Sequence, residues 1–525
     1  MGFKEIIRQS TIANYGKSIR SAPREVIFNR PLIISVVLYA MSAIPATWDQ
    51  GSSSVVPSLP GFQKHFGITS GTDAKQIRNF ITIIYIGYAA GAALSFFLND
   101  RIGRLWSFRL YSVVWIVGQL VASFSPGLAG LYAARIISGL GIGALTVTGP
   151  MSIVELSPAE IRGLLTAWFN VAMGLSLVCS IFCVLGVYEH IPESKLQFQI
   201  VWTAPCVYMA LLVAASFFLC ESPRWLFMVD RHDEATKILV RIRGLPATHP
   251  RVQIELQEIQ DSIRKEKELY HSDGLVGIIK ETFTVPSNLR RVQQSLISYG
   301  LAQLSGANSI TSYFVPILSL MGLGGGTTRS MFLSGMYGMS KLFFTLIASF
   351  FFIDALGRRK SLFVGTFLQL ISDVYVGVYI KYKQEGTVSS SSSQGAIAFI
   401  FIHAFGYAVG LLILPYVFGA ELWPNRIRSF GGALSACFHW LFIYAFQSGL
   451  PSLLSQTNNW GAFIFFGGWC FIAMIYVYLM VPELSGLSVE EIDDLFKGPW
   501  FNAYKRSKKA RAITSEEADD LADIS

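Results

Sequence analysis

Four charged side chains, Asp49, Arg135, Lys341 and Asp373, fall inside long runs of apolar residues, and two histidines, His403 and His439, sit in the same kind of surroundings. A charge at the centre of a bilayer costs ~2.5–3.5 kcal/mol on insertion scales, so such residues need partners or water and mark pathways for solutes or protons. An acid and a base buried together, such as Asp49 and Arg135, attract while the acid is ionised. Protonating the acid releases the base, which would let the helices move. A static structural ion pair is the alternative reading. Lys341 is a solitary cation in a run rich in Phe, Leu and Ile. It can neutralise a carboxylate on a solute, pair with a protein acid such as Asp373, or snorkel to a water-filled cavity.

The elements that hold these residues are membrane helices. The chain has 525 residues, of which 52% are hydrophobic and only 14% charged. A soluble domain carries roughly 25% charged residues. The apolar runs match the ~20 residues needed to cross hydrocarbon as a helix. Twelve spans are expected, at 32–56, 79–98, 105–125, 128–153, 163–187, 200–220, 293–320, 330–353, 361–381, 396–419, 430–454 and 459–481. Two places are soft: Pro126-Gly127 barely separates spans three and four, and Asp49 interrupts span one.

The formal net charge of +8 reports topology. Basic residues cluster in the N-terminal tail, after span two, in 221–292 and in the C-terminal tail, which the positive-inside rule assigns to the cytoplasm. Both termini are therefore expected there, in a multi-pass protein of the plasma membrane. Nucleic acid is not an expected partner; the lipid bilayer is. The six cysteines lie in or at the ends of spans and make no disulfide framework. Cys179 and Cys183 are spaced to ligate a metal, but no His or carboxylate stands beside them, so packing is the expected role. No short apolar segment with a cleavage site begins the chain, so span one is expected to direct insertion. Gly139-Leu-Gly141-Ile-Gly143 is read as close helix packing through small residues, since no strand precedes it.

The chain divides into a tail at 1–31, six spans over 32–220, a polar helical linker at 221–292, six spans over 293–481, and a tail at 482–525. The two sets of spans repeat one another. Asp100-Arg101-Ile-Gly-Arg104 after span two returns as Asp354-Ala-Leu-Gly-Arg358-Arg359 after span eight. Glu155-Leu-Ser-Pro-Ala-Glu-Ile-Arg162 after span four returns as Glu421-Leu-Trp-Pro-Asn-Arg-Ile-Arg428 after span ten. Parallel repeats place a solute site near the midplane, between the halves. No nucleophile elbow, phosphate loop or metal-ligand pattern is present, so an enzyme is not expected, and neither a metal nor a cofactor.

These motifs together with Trp48-Asp49, Tyr132-x-x-Arg135, Glu221-Ser-Pro-Arg224-Trp-Leu, Gln303-Leu-Ser-Gly-x-Asn308 and Pro482-Glu483 resemble the sugar-porter family of the major facilitator superfamily, over about 30–485. The resemblance implies an all-α membrane protein with the major facilitator fold, twelve helices in two pseudo-symmetric halves, and alternating access. It implies that Asp100, Arg101, Arg104, Glu155, Arg162, Glu221, Arg224, Asp354, Arg358, Arg359, Glu421, Arg428 and Glu483 form cytoplasmic gating salt bridges. It assigns Asp49 and Arg135 to proton coupling, and it implies a solute site at Asn170, Gln303, Asn308, Tyr313, Lys341, Tyr416, His439 and Trp440.

The departures bear on the solute. Where sugar-binding relatives carry paired Gln, paired Tyr and an Asn before the span-eleven Trp, this chain has Ala302, Ser312 and His439. Asn170 and Tyr416 replace a Gln and a Trp. Gly338-Met-Ser-Lys341 resembles the quinate-permease-like branch, and Lys341 suits a carboxylate on a hydroxylated ring. The expected function is secondary transport of a small polar solute by proton symport: a quinate-like hydroxylated carboxylate, or a sugar or polyol. One copy is expected to suffice. The alternatives are a facilitative sugar uniporter and a non-transporting nutrient sensor on the same fold.

Overall fold

The computed structural model describes residues 16, 19, 23–68, 74–270, 274–349, 358–412, 423, 427–481 and 496. Regular structure among them is entirely helical. In hydrocarbon every backbone polar group must be satisfied within the chain, which helices achieve locally.

Nine of the described helices are long and apolar enough to cross a membrane. They correspond to the expected spans one to six, nine, ten and twelve: Arg24–Ser58, Lys75–Ile102, Arg104–Phe124, Leu128–Leu156, Arg162–His190, Leu196–Phe218, Arg359–Gln384, Ser390–Val409 and Trp460–Met480. The other three are more polar or broken. Span eight, Thr327–Ile347, carries Arg329 and Lys341. Span eleven, Arg428–Gln456, is diluted by Ser, Gly, His and Gln. Span seven is split into Pro286–Leu304, Ala307–Ser312 and Phe314–Leu320.

The breaks have local causes. Span one divides into Arg30–Met41 and Ile44–Val55. Pro45, at the start of the second piece, has no N–H to continue the first helix's ladder. The interruption therefore lies at Ser42–Ala43, not at Asp49, which sits inside an unbroken helix. Span seven breaks at Gly306, whose φ of +77° is left-handed. A Cβ there would meet the Phe466 ring at 2.6 Å, so both the conformation and the close approach require glycine. Ser125–Gly127 separates spans three and four.

The packing follows the sequence repeat. Span one packs on five as seven packs on eleven; two on four as eight on ten; three on six as nine on twelve. The halves meet where span two packs on eleven and five on eight, contacts that interchange under the same pseudo-symmetry. Gly139, Gly141 and Gly143 in span four serve as contact points. A Cβ at Gly139 or Gly143 would strike the backbone of span two, and one at Gly141 that of span three.

The polar linker forms helices Pro223–Met228, His232–Arg243, Pro250–Tyr270 and Gly274–Thr284. Its first three helices dock under the first half, and Gly274–Thr284 packs against span seven of the second. The buried Arg243 grips Glu255 at 2.6 and 2.9 Å and donates to Leu156 O at 2.8 Å, while Arg251 pairs with Glu160 at 2.5 Å.

Candidate functional site

Spans from both halves enclose a cavity of about 250 Å³. Lys341 lines it from span eight, Asn170 from span five, Asn308 from span seven, and His439 and Trp440 from span eleven. The Lys341 ammonium donates to Thr311 Oγ1 at 2.9 Å and lies 5.7 Å from the centre of the Tyr407 ring. Thr311 in turn donates to Ala307 O at 2.8 Å, which leaves its oxygen lone pairs facing the ammonium. An ammonium has three N–H donors and no acceptor. Thr311 takes one, and no ion pair occupies Lys341 within the described residues.

The suggested pairing of Lys341 with Asp373 is not formed. Asp373 instead faces His403 at 3.5 Å and Cys470 at 3.8 Å.

Gln303 and Tyr313, expected to meet the solute, form a buried layer behind Asn308. Asn308 Nδ2 donates to Gln303 Oε1 at 2.9 Å, and Gln447 Nε2 to Asn308 O at 3.4 Å. Tyr313 OH donates to Gln447 O at 3.2 Å. Of these three span-seven residues only Asn308, just past the break at Gly306, lines the cavity. Tyr416 lies outside the described residues.

Sequence reasoning passed over several cavity residues: Thr47, Gln50, Tyr85, Tyr88 and Tyr407. Tyr85 stacks on Trp440 with centroids 6.2 Å apart, and Tyr88 meets the same indole edge-on at 4.6 Å. The available signal was helical spacing. Tyr85 and Tyr88 share a face of span two, and Gln50 follows Asp49.

Asp49 and Arg135 are both buried, and Arg135 donates to Asp49 Oδ1. Arg135 also donates from Nε to Phe80 O at 3.0 Å, and its guanidinium lies 4.6 Å from the Phe80 ring centre. Its Nη2 has no hydrogen-bond partner among the described residues. The pair sits behind the cavity wall: Asp49 is on the helix that presents Thr47 and Gln50 to the cavity, and Arg135 reaches it from span four. It can hold one proton out of water and signal its arrival by releasing the guanidinium.

At the cytoplasmic end of the first half, Arg104 binds Glu155 through two parallel bonds of 2.8 and 2.9 Å and Asp100 at 2.9 Å. Glu221 accepts from the backbone N–H of Arg104, Leu105 and Ser222 at 2.9–3.2 Å, so it caps the first turn of span three. Burial pushes the Glu221 carboxyl up from its ordinary value, and those N–H groups and Arg104 pull it back. Gly103, at φ +89°, makes this approach possible: a Cβ there would meet Glu221 Oε2 at 2.7 Å.

Not all expected members join this cluster. Arg101 and Arg162 are exposed and form no ion pair among the described residues. Arg101 follows Asp100 directly, which turns it to another face of the helix. Arg224 is half-buried beside the cluster. In the second half Arg359 donates to Tyr478 O at 2.6 Å and lies between the Phe363 and Tyr478 rings. Arg358 and Arg428 are described only as the first residues of their helices. Asp354, Glu421 and Glu483 lie outside the described residues.

Comparison with known proteins agrees with this architecture. Residues 35–496 match the family described as "Sugar (and other) transporter". Quinate permease of Emericella nidulans is 26% identical over 96% of this chain and 95% of its own length. A probable quinate permease of Aspergillus flavus is 27% identical, over 91% and 90%. The solved proton:xylose symporter XylE, bound to 6-bromo-6-deoxy-D-glucose, superposes with a TM-score of 0.73 at 20% identity, covering 89% of this chain and 99% of that one. That likeness shows the major facilitator fold. The chain, a membrane transporter and not an enzyme, belongs to the sugar (and other) transporter family.

Proposed function

We propose that the protein is a proton symporter that carries a small hydroxylated carboxylate of the quinate class by alternating access. The observation that carries this reading is Lys341: a cation on the cavity wall, held by a neutral hydroxyl, with donors left over. A solute carboxylate would satisfy it with charge-assisted bonds. Asn170, Asn308, Gln50 and Thr47 offer amide and hydroxyl groups for ring hydroxyls, and Trp440, Tyr85 and Tyr88 offer apolar faces for a ring. The curated relatives named as quinate permeases support the same solute class.

Asp49 with Arg135 supports proton coupling. Carrying one proton inward gains ~2.3 kcal/mol per 100 mV. The Arg104–Glu155–Asp100 cluster with Glu221, and its counterpart in the second half, would latch the cytoplasmic side and open as the halves rock. Both termini would lie in the cytoplasm at the plasma membrane, with one copy sufficient. The test is an uptake panel in proteoliposomes under an imposed pH gradient, with quinate, shikimate, hexoses and polyols. Accumulation of the carboxylates supports the reading; accumulation of hexose alone contradicts it.

A further inference from the structure

Asp373 of span nine and His403 of span ten are buried to within a few percent and take no part in the cavity. His403 Nε2 lies 3.0 Å from Ser305 O, 3.3 Å from Gln369 Nε2 and 3.5 Å from Asp373 Oδ1. Cys470 of span twelve faces Asp373 Oδ2 at 3.8 Å. From span eight, Lys341 lies within electrostatic reach of His403, and Tyr337 within reach of Asp373. No Lys or Arg pairs with Asp373 among the described residues. Asp373 stands at the same offset from Asp354-x-x-Gly-Arg358 as Gln119 does from Asp100-x-x-Gly-Arg104, and Gln119 is a neighbour of Asp49. The second half therefore carries its acid where the first half keeps an amide beside its acid.

Two acceptors compete for one hydrogen. Among the described residues His403 Nδ1 has no partner, and Nε2 faces two acceptors, Ser305 O and Asp373 Oδ1, against one donor, Gln369 Nε2, so the surroundings favour the tautomer with its hydrogen on Nε2. That hydrogen can go to Ser305 O or to Asp373. Ser305 is the residue at the break in span seven, just before Gly306. While Asp373 holds a proton it is a weak acceptor, and Nε2–H is free for Ser305 O. When the carboxyl O–H ionises, its proton passing to water, the carboxylate becomes the stronger acceptor by the charge-assisted margin. The imidazole then turns from Ser305.

We propose that Asp373 and His403 form a second proton-binding site, whose occupancy sets how firmly span ten holds the break in span seven. The short contact to Ser305 O and the longer one to Asp373 correspond to the protonated state. The site does not depend on which solute is carried, nor on whether Asp49 couples transport.

The test uses the intact purified protein without solute. Infrared difference spectra across a pH titration should show a protonated-carboxyl band that disappears as pH rises. Over the same interval, hydrogen–deuterium exchange of residues 305–313, corrected for intrinsic exchange, should rise roughly tenfold, the effect of losing one hydrogen bond. Asp373→Asn should remove one component of that band, leaving what Asp49 and Glu221 contribute, and leave exchange independent of pH. His403→Gln should keep the carboxyl band but lose the pH dependence of exchange, and Cys470→Ser should leave both. A carboxyl band that is identical in the wild type and Asp373→Asn, or wild-type exchange at 305–313 that ignores pH, would overturn the proposal. Because both wild-type readouts bear on it, it stays testable even if the Asn variant does not fold.

Discussion

Lys341 Nζ rests 2.9 Å from Thr311 Oγ1, so the cation on the cavity wall is held by a hydroxyl and not by an acid. A hydroxyl steadies the ammonium without neutralising it. The charge remains for the solute. Lys341→Met should therefore raise the KM for a carboxylated solute by roughly ten- to a hundredfold, from the ~1.5–3 kcal/mol of a hydrogen bond to a charged group. Transport of any neutral polyol that the protein accepts should change little. Unchanged carboxylate uptake would remove Lys341 from the site.

Asp49→Asn should separate coupling from carriage. The amide keeps the shape but cannot take up a proton. Accumulation against a gradient should fall to the level reached without a pH gradient, while solute exchange at equal concentrations continues. Full proton-driven accumulation in this variant would make Asp49–Arg135 a static pair.

The cytoplasmic cluster gives a stability prediction. Arg104 is buried on Glu155 and Asp100. Removing one partner of a buried pair costs ~3–5 kcal/mol, because the other is left uncompensated. Glu155→Gln should lower the melting temperature in detergent markedly. Gly103→Ala should also do so, by about 1–3 kcal/mol of backbone strain, with the approach of Glu221 added. Arg162→Ala, exposed and without an ion pair among the described residues, should leave the melting temperature within about a degree, in line with a surface change of ±0.5 kcal/mol.

Glu221 predicts a pH dependence. Its carboxyl is raised in the folded protein by burial. A raised group contributes stability that is fully present below the ordinary glutamate range and is lost as pH rises through the raised value. Melting temperature should decline in the wild type as pH rises from the ordinary glutamate range through the raised value. Glu221→Gln should flatten the decline. An identical slope in the variant would assign the dependence to other groups.

Much of this was legible in the chain because hydrocarbon punishes error. An acid and a base in the same half need one another, and Arg135 does reach Asp49. The duplicated Asp-to-Arg and Glu-to-Arg segments foretold two halves whose helix contacts repeat. Local backbone decisions were less legible. Pro45 moves the break in span one away from Asp49, and of Gln303, Asn308 and Tyr313 around the break at Gly306 only Asn308 lines the cavity. Rotation about a helix axis was least legible. Asp373 and Lys341 looked like partners by charge alone, but span nine turns Asp373 toward His403. Tyr85 and Tyr88 carry no charge to mark them, yet they frame the cavity through Trp440.

The most direct test of proton-coupled carriage of a hydroxylated acid is radiolabelled quinate uptake into proteoliposomes with an imposed inward proton gradient. Quinate should accumulate above the external concentration, with the accumulation collapsed by a protonophore and accompanied by alkalinisation outside. Equilibration without accumulation, or a proton-driven overshoot for hexose with none for quinate, would contradict such carriage.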